Sequence, residues 1–364
     1  MKLREITAAI EQVAPLSLQE SYDNAGLITG DPDMEVTGAL LCLDVTEAVL
    51  DEALAKKANL VVSHHPIVFR PLKSITGRNH IERTVIKAIQ HNIAIYAAHT
   101  NLDSVRGGIS FAMAEKLGLQ NVEVMEPRAN GLVKIGVHTP ESHAEAVRAA
   151  MAGAGAGAIG DYDHCTFNVA GTGTFRAKPG ARPYVGAIGE IHREPEIRTE
   201  AVAPSYRVAA VVAALKRVHP YEEVAYDVTP LDGADRDAGF GAVGDLPEPV
   251  DAMEFLRTVK EKFNVGCIRH SQPPQEKVQR IAMIGGAGSE GMPVAVAAGA
   301  DVFLTADIKY NSFFDAENRI LLADIGHFES EVGVISLLHE LLTKKFPTFA
   351  LHKSERPHNP VNYL

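Results

Sequence analysis

What most constrains the fold of this chain is that one alternation of short apolar runs and helical stretches occurs twice, at its two ends, around a middle built on another plan. Near the start, an amphipathic helix pattern over residues 3 to 14 is followed by β-type runs at 38 to 43, 59 to 63 and 93 to 97, with helical stretches between them. Late in the chain the same grammar returns, with apolar runs at Arg280 to Gly285, Asp301 to Thr305 and Arg319 to Asp324. Strands that are apolar throughout and separated by helices belong to parallel sheets covered on both faces. The two ends are therefore expected to form one α/β layer structure, a doubly wound, mostly parallel sheet. The middle reads strand, helix, strand, strand, helix, strand: Leu132 to Thr139, a helix from about Pro140, extended stretches near 164 to 176 and 185 to 202, a helix from Pro204, then Val224 to Thr229. That order is ferredoxin-like. The expected division is 1–128 for the first core segment, 129–235 for an α+β insert and 236–364 for the second core segment.

At 364 residues the chain has room for two or three domains. A formal charge of -11, with no dense basic run, argues against nucleic acid as a partner, because phosphate backbones demand stripes of Lys and Arg. No signal-peptide hydrophobic region and no apolar stretch of membrane-spanning length occurs, so no membrane association is expected. Cys42, Cys165 and Cys267 lie far apart without C-x-x-C spacing, which suggests neither a disulfide framework nor a thiolate zinc site. A cytoplasmic location fits these features. Histidine stands out at 15 residues, and imidazole is the commonest metal ligand.

The histidines that matter follow strands. Leu60-Val61-Val62-Ser63 runs into His64-His65-Pro66, at the carboxyl end of a strand, where open α/β sheets bind ligands. Pro66 biases His65 toward extended backbone, on which adjacent side chains point apart. Such a pair suits two neighbouring ions better than one, although by itself it is also what two ordinary turn histidines look like. The run Ile93 to Tyr96 leads to His99 and Asp103. Far away, Ile320 to Asp324 leads to Gly326-His327-Phe328-Glu329-Ser330-Glu331 and a long apolar-periodic helix, on which His327 and Glu331 are i and i+4 and share a face. An acidic first helical turn would account for Glu329 or Glu331 alone, but it does not need His327.

Three strand ends that together supply His64, His65, Asp103, His327 and Glu331 describe a site for two divalent metal ions. Imidazole with carboxylate suits Zn, Fe, Mn, Co or Ni, and a carboxylate bridging ions about 3.5–4 Å apart lets two metals share few ligands. Asp103 is the first choice for that bridge and Glu331 the second. His99 has three readings: a partner of the ligands, a catalytic general acid or base, or a plain buried histidine. Gly285 to Gly291 contains a G-x-G-x-x-G spacing, which reads as a dinucleotide loop or as a tight turn lining the metal cleft; it comes late for the former. Asp44 and Asp307 also follow strands, as polar groups for the same pocket. Two dications beside two carboxylates attract anions, so a phosphate-bearing small molecule is the expected partner.

Taken together, Ser21-Tyr22-Asp23-Asn24-Ala25-Gly26-Leu27, Ser63-His64-His65-Pro66, His99-Thr100-Asn101-Leu102-Asp103, Gly239-Phe240-Gly241 and Gly326-His327-Phe328-Glu329-Ser330-Glu331 resemble the Nif-three-like family of dinuclear metal centre hexameric proteins, over nearly the whole chain. The family's metal ligands map onto the same five positions. The segment His219 to Asp227 resembles the PII/CutA-like insert of the longer bacterial members. The resemblance implies a homohexameric toroid with the metal sites facing its cavity. It also implies relation to type 2 GTP cyclohydrolase I homologues, hence a metal-dependent hydrolase in which a metal-bridged hydroxide attacks a nucleotide such as GTP. A non-enzymatic regulatory or scaffold ring, with the insert as sensor, is the alternative.

Overall fold

Strand boundaries follow the apolar runs closely in the computed structural model, which describes residues 1–355 and 359–364. The first part of the chain supplies β1 (Gly26–Thr29), β2 (Ala39–Cys42), β3 (Leu60–Ser63), β4 (Ala94–Ala97) and β5 (Gln120–Arg128). The middle supplies β6 (Leu132–Pro140), β7 (Phe167–Arg176), β8 (Ile191–Pro204) and β9 (Tyr226–Leu231). The last part supplies β10 (Asp235–Asp251), β11 (Arg269–His270), β12 (Lys277–Ala287), β13 (Val302–Ala306), β14 (Leu321–Asp324) and β15 (Leu351–Lys353). These elements form two compact units, one of Met1–Pro127 with Arg236–Leu364, the other of Arg128–Asp235.

In the two-segment unit every residue of β2, β3, β4, β13 and β14 is buried, which is why these strands show no polar alternation. Leu40, Val61 and Ile95 pack with Val49, Leu50 and Ala53 of the helix Glu47–Ala55 and Ala88 of the helix His80–Gln90. Thr46 and Asn79 set where those helices begin, each accepting the amide of the residue three positions on. The strands form two sheets rather than the single layer expected from the sequence. One has the order β1-β4-β3-β2-β15, the other β11-β14-β13-β12-β10-β5. In the first, only β1 is antiparallel to its neighbour; in the second, β12, β13 and β14 are parallel while β10 and β11 run against theirs. The α/β class is as expected. The number of sheets differs because an apolar run reports burial on both faces and carries no information about which strand it pairs with. Each sheet also borrows a strand from the other segment: β5 closes the second, β15 the first.

The other unit holds β6 to β9 in one sheet of order β7-β8-β6-β9, with antiparallel neighbours throughout. Val133, Ile135, Val137, Ala201 and Ala203 face Val147 and Met151 of the helix Ala144–Gly153 and Val211 and Leu215 of the helix Val208–Val218. No helix among the described residues is long and apolar enough to cross a membrane.

Candidate metal centre

Three strand ends of the two-segment unit converge. Past β3, the amides of His64 and His65 continue the pairing, donating to the carbonyls of Cys42, at the end of β2, and of Leu43 just beyond it, which fixes both histidines against the sheet. Past β4, His99 heads the one-turn helix Thr100–Asp103 and its amide bonds Asn101 Oδ1 at 2.9 Å. Past β14, Gly326 at φ +85° turns the chain into the helix His327–Glu331. That positive φ favours glycine, and a side chain there would also push the Glu329 carboxylate aside.

Glu331 lies at the middle of the cluster. Its Oε2 is 2.9 Å from His65 Nε2 and 3.0 Å from His327 Nε2, and its Oε1 is 3.7 Å from His64 Nε2. Asp103 reaches one imidazole, with Oδ1 3.8 Å from His64 Nε2. His65 and His327 bring their Nε2 atoms within 3.4 Å of each other. Each ring is held from behind. His64 Nδ1 donates to the Ala98 carbonyl at 2.7 Å, His65 Nδ1 to Asp44 at 2.8 Å and His327 Nδ1 to Asp307 at 2.7 Å. This is how metal-ligating histidines are oriented, with one nitrogen fixed by an oxygen and the other left for the ion. Asp307 adopts φ +54°, a left-handed conformation that Asp tolerates better than most residues and that here serves to hold His327.

Two polar atoms test whether an ion fits. His64 Nε2 and Asp103 Oδ1 are buried without a hydrogen-bond partner, and such atoms cost roughly 1–3 kcal/mol each when left unsatisfied. They face each other beside Glu331, and a cation would satisfy both. The ring nitrogens of His64, His65 and His99 lie within 4.8 Å of one another, as do the ligand atoms of His65, His327 and Glu331. The donor set therefore fits divalent metal with nitrogen and oxygen ligands.

Without metal, His65 and His327 carry positive charge. Burial opposes it, but hydrogen bonds to Asp44 and Glu331 raise His65 to about 10, and those to Glu331 and Asp307 raise His327 to about 9. Burial likewise works against the charge of Glu331, yet hydrogen bonds from His327 and His65, with His64 3.7 Å away, hold it well below the usual carboxylate range. For Asp103, burial prevails over the attraction of His64 and pushes the carboxyl up to about 7. His99 sits one ring away, 5.1 Å from His64 and 5.5 Å from His65 between centroids. Its Nδ1 is held by Asp23 at 2.7 Å. Asp23 is itself kept near 2, since bonds from His99 and Thr100 outweigh its burial.

All six residues singled out in the sequence, His64, His65, His99, Asp103, His327 and Glu331, meet in this cluster. Asp44 and Asp307, expected only as pocket polar groups, prove to be the carboxylates that orient His65 and His327. Asp23 was not assigned a place in the site, because an Asp-Asn pair in a turn carries no spacing signal that points to His99. The glycine stretch that begins at the end of β12 lines the cleft: a Cβ on Gly286 would lie 2.1 Å from Glu331 Oε1 and 3.2 Å from His327 Nε2. A cavity of about 510 Å³ borders His65 and His327, with Asp44, Arg269, Asp307 and Tyr363 among its walls.

The model of the family described as Duf34/NIF3 (NGG1p interacting factor 3) matches residues 1–360. A Halalkalibacterium halodurans protein named GTP cyclohydrolase 1 type 2 homolog is 39% identical over 344 residues, which cover 93% of this chain and 92% of that protein. A Bacillus subtilis protein of the same name is 36% identical over 366 residues, covering 99% and 98%. The crystal structure of a Bacillus cereus protein related to NIF3 superimposes with a TM-score of 0.86 at 38% identity, covering 100% of this chain and 99% of the other. Fold, motifs and near-complete alignment agree: the chain belongs to the DUF34/NIF3 family.

Proposed function

We propose that this protein is a dinuclear-metal hydrolase acting on a nucleotide-like, phosphate-bearing substrate, with GTP the first candidate. The observation that carries the reading is the placement of Glu331, whose two oxygens face two different imidazole groups beside the unpartnered atoms of His64 and Asp103. His65 and His327 with Glu331 would hold one ion, and His64 with Asp103 and Glu331 the other, so Glu331 takes the bridging place before Asp103. Two divalent ions so held would lower the pKa of water toward neutrality and stabilise developing negative charge. The chain's own residues do the rest. Asp44, Asp307 and the Ala98 carbonyl fix the imidazoles, and Asp23 keeps His99 oriented as the group that takes or returns a proton. The relatives' printed name, GTP cyclohydrolase 1 type 2 homolog, supports a purine nucleotide as the first substrate to try. The homohexamer implied by the family resemblance is part of the same reading. Protein stripped of metal and reloaded with Zn, Mn, Fe, Co or Ni should hydrolyse GTP or another member of a nucleotide panel, while stripped protein should not. Two ions per chain with no turnover across the panel would overturn the hydrolase and favour a metal-binding regulatory ring.

A further inference from the structure

Beside the metal centre, on the His99 side, two aromatic rings stand in solvent. Tyr22 is 61% exposed and Phe69 41% exposed, although burying such rings is a main source of stability in a chain of this kind. Their centroids are 6.4 Å apart with planes at 58°, and Phe69 meets His99 edge-on at 6.0 Å and 83°. Both are positioned by the site. Tyr22 immediately precedes Asp23, whose carboxylate is held by His99 Nδ1 at 2.7 Å, the Thr100 amide at 3.1 Å and the Asn24 amide at 2.7 Å. Phe69 immediately follows Val68, whose carbonyl accepts from Asn24 Nδ2 at 2.6 Å. The Asp23 carboxylate that orients His99 therefore also ties down the loop of Tyr22, and the neighbouring Asn24 ties down that of Phe69. Isolated surface aromatics are ordinary, but a locked pair touching a catalytic-type histidine is a built surface.

We infer that Phe69 and Tyr22 form a stacking platform that receives the flat aromatic or heteroaromatic ring of the substrate on the His99 side of the metal centre, an inference that rests on the function proposed above. At 6.4 Å the pair is too close for a third ring to slide between in parallel, which needs about 7 Å, twice the ordinary carbon contact distance. The ring is thus received on the outer face of the pair. A molecule stacked on Phe69 extends its substituents over His99 toward His64 and His65, so the ring sets the register of whatever group reaches the ions. Sequence-tolerant stacking of this kind selects for a ring and leaves the rest of the molecule to the metals.

The test uses the full chain loaded with Zn and three probes: GTP, guanosine, which has the ring without phosphates, and tripolyphosphate, which has phosphates without the ring. Phe69→Leu keeps an apolar side chain and removes the ring. It should weaken guanosine and GTP binding about 5- to 150-fold, with metal content and tripolyphosphate affinity unchanged, and Phe69→Trp should restore guanosine binding. Tyr22→Leu should act in the same direction. If guanosine fails to bind, or binds all variants equally, the platform is overturned. Variants that change particle size in solution while leaving guanosine binding intact would show that the rings are covered by a second copy, and would also overturn it. Tripolyphosphate binding that is indifferent to metal removal counts against the metal-dependent function and leaves the guanosine result standing by itself.

Discussion

Replacing Glu331 with Gln keeps the size of the side chain and removes its charge, and its neighbours determine how the loss is felt. In the metal-free protein Oε2 holds His65 at 2.9 Å and His327 at 3.0 Å, and Glu331 is 3% exposed. Removing one partner from a buried, hydrogen-bonded charge cluster costs about 3–5 kcal/mol. In a unit of this size that lowers Tm by roughly 2–4 °C per kcal/mol, or about 6–20 °C in all. The loss has a definite pH dependence. The folded-state values of His65 and His327 are raised to about 10 and about 9, so the stability they draw from Glu331 is fully present below the ordinary imidazole range and fades as pH rises through 9 and 10. Above that range Glu331 is a buried charge without cationic partners, and wild type should lose its lead. Thermal melts of chelator-treated wild type and Glu331→Gln at pH 6, 8 and 10 measure the difference. Metal per chain after reloading at pH 7 measures the other half, and occupancy should fall at both positions because Glu331 faces both. A stability difference that stays constant from pH 6 to 10, or a variant that binds two ions as tightly as wild type, would refute the reasoning.

Asp103→Asn should weaken metal binding chiefly at the His64 position. Because burial holds Asp103 near 7, wild-type affinity measured by competition with a chelator should climb as pH rises through 7, and the variant should lose that component. His65→Ala and His327→Ala should each lower metal content per chain while the far-ultraviolet circular dichroism stays unchanged, since both rings lie at strand ends outside the core; full occupancy in both would contradict the site. Glu82→Gln should destabilise the protein at neutral pH, because its carboxylate caps the loop before the helix His80–Gln90 through the Thr76 and Arg78 amides and is held near 2. The difference from wild type should shrink as pH falls from about 4.5 toward 2, visible in melts across that interval. Deleting residues 129–235 and joining the ends should leave a folded, metal-binding core, since Gly239 packs against the Glu126 backbone and brings the two ends together; loss of metal from a soluble, monodisperse product would refute it.

Much of the site could be read in the sequence because its ligands directly follow apolar strands, and a strand's carboxyl end in an α/β sheet is where side chains are free to face a ligand. His64, His65 and His327 are legible for that reason, and Glu331 because it stands one helical turn beyond His327. The bridging choice was not legible. Asp103 looks central along the chain, but the fold places Glu331 against three imidazoles and Asp103 against one. The pairing of strands was hidden too, since β5 and β15 each join a sheet made mostly by the opposite segment. Nothing in Gln120–Arg128 or Leu351–Lys353 announces a partner more than a hundred residues away, because register and crossover decide it.

The pairing of β15 with β2 has a consequence for how the protein is made. A ribosome releases β2 early, and its outer edge has no partner until residues 351–353 emerge, so nearly the whole chain is synthesised while a buried-type strand edge is open to wrong pairing. The compact unit Arg128–Asp235, formed by one continuous stretch of chain, is free to fold meanwhile. The proposed metal ligands themselves span His64 to Glu331, so the nascent chain cannot bring the candidate site together before synthesis is almost over. Slowed translation or premature termination near the C-terminus should therefore yield a product that has a folded middle, an aggregating remainder and no metal.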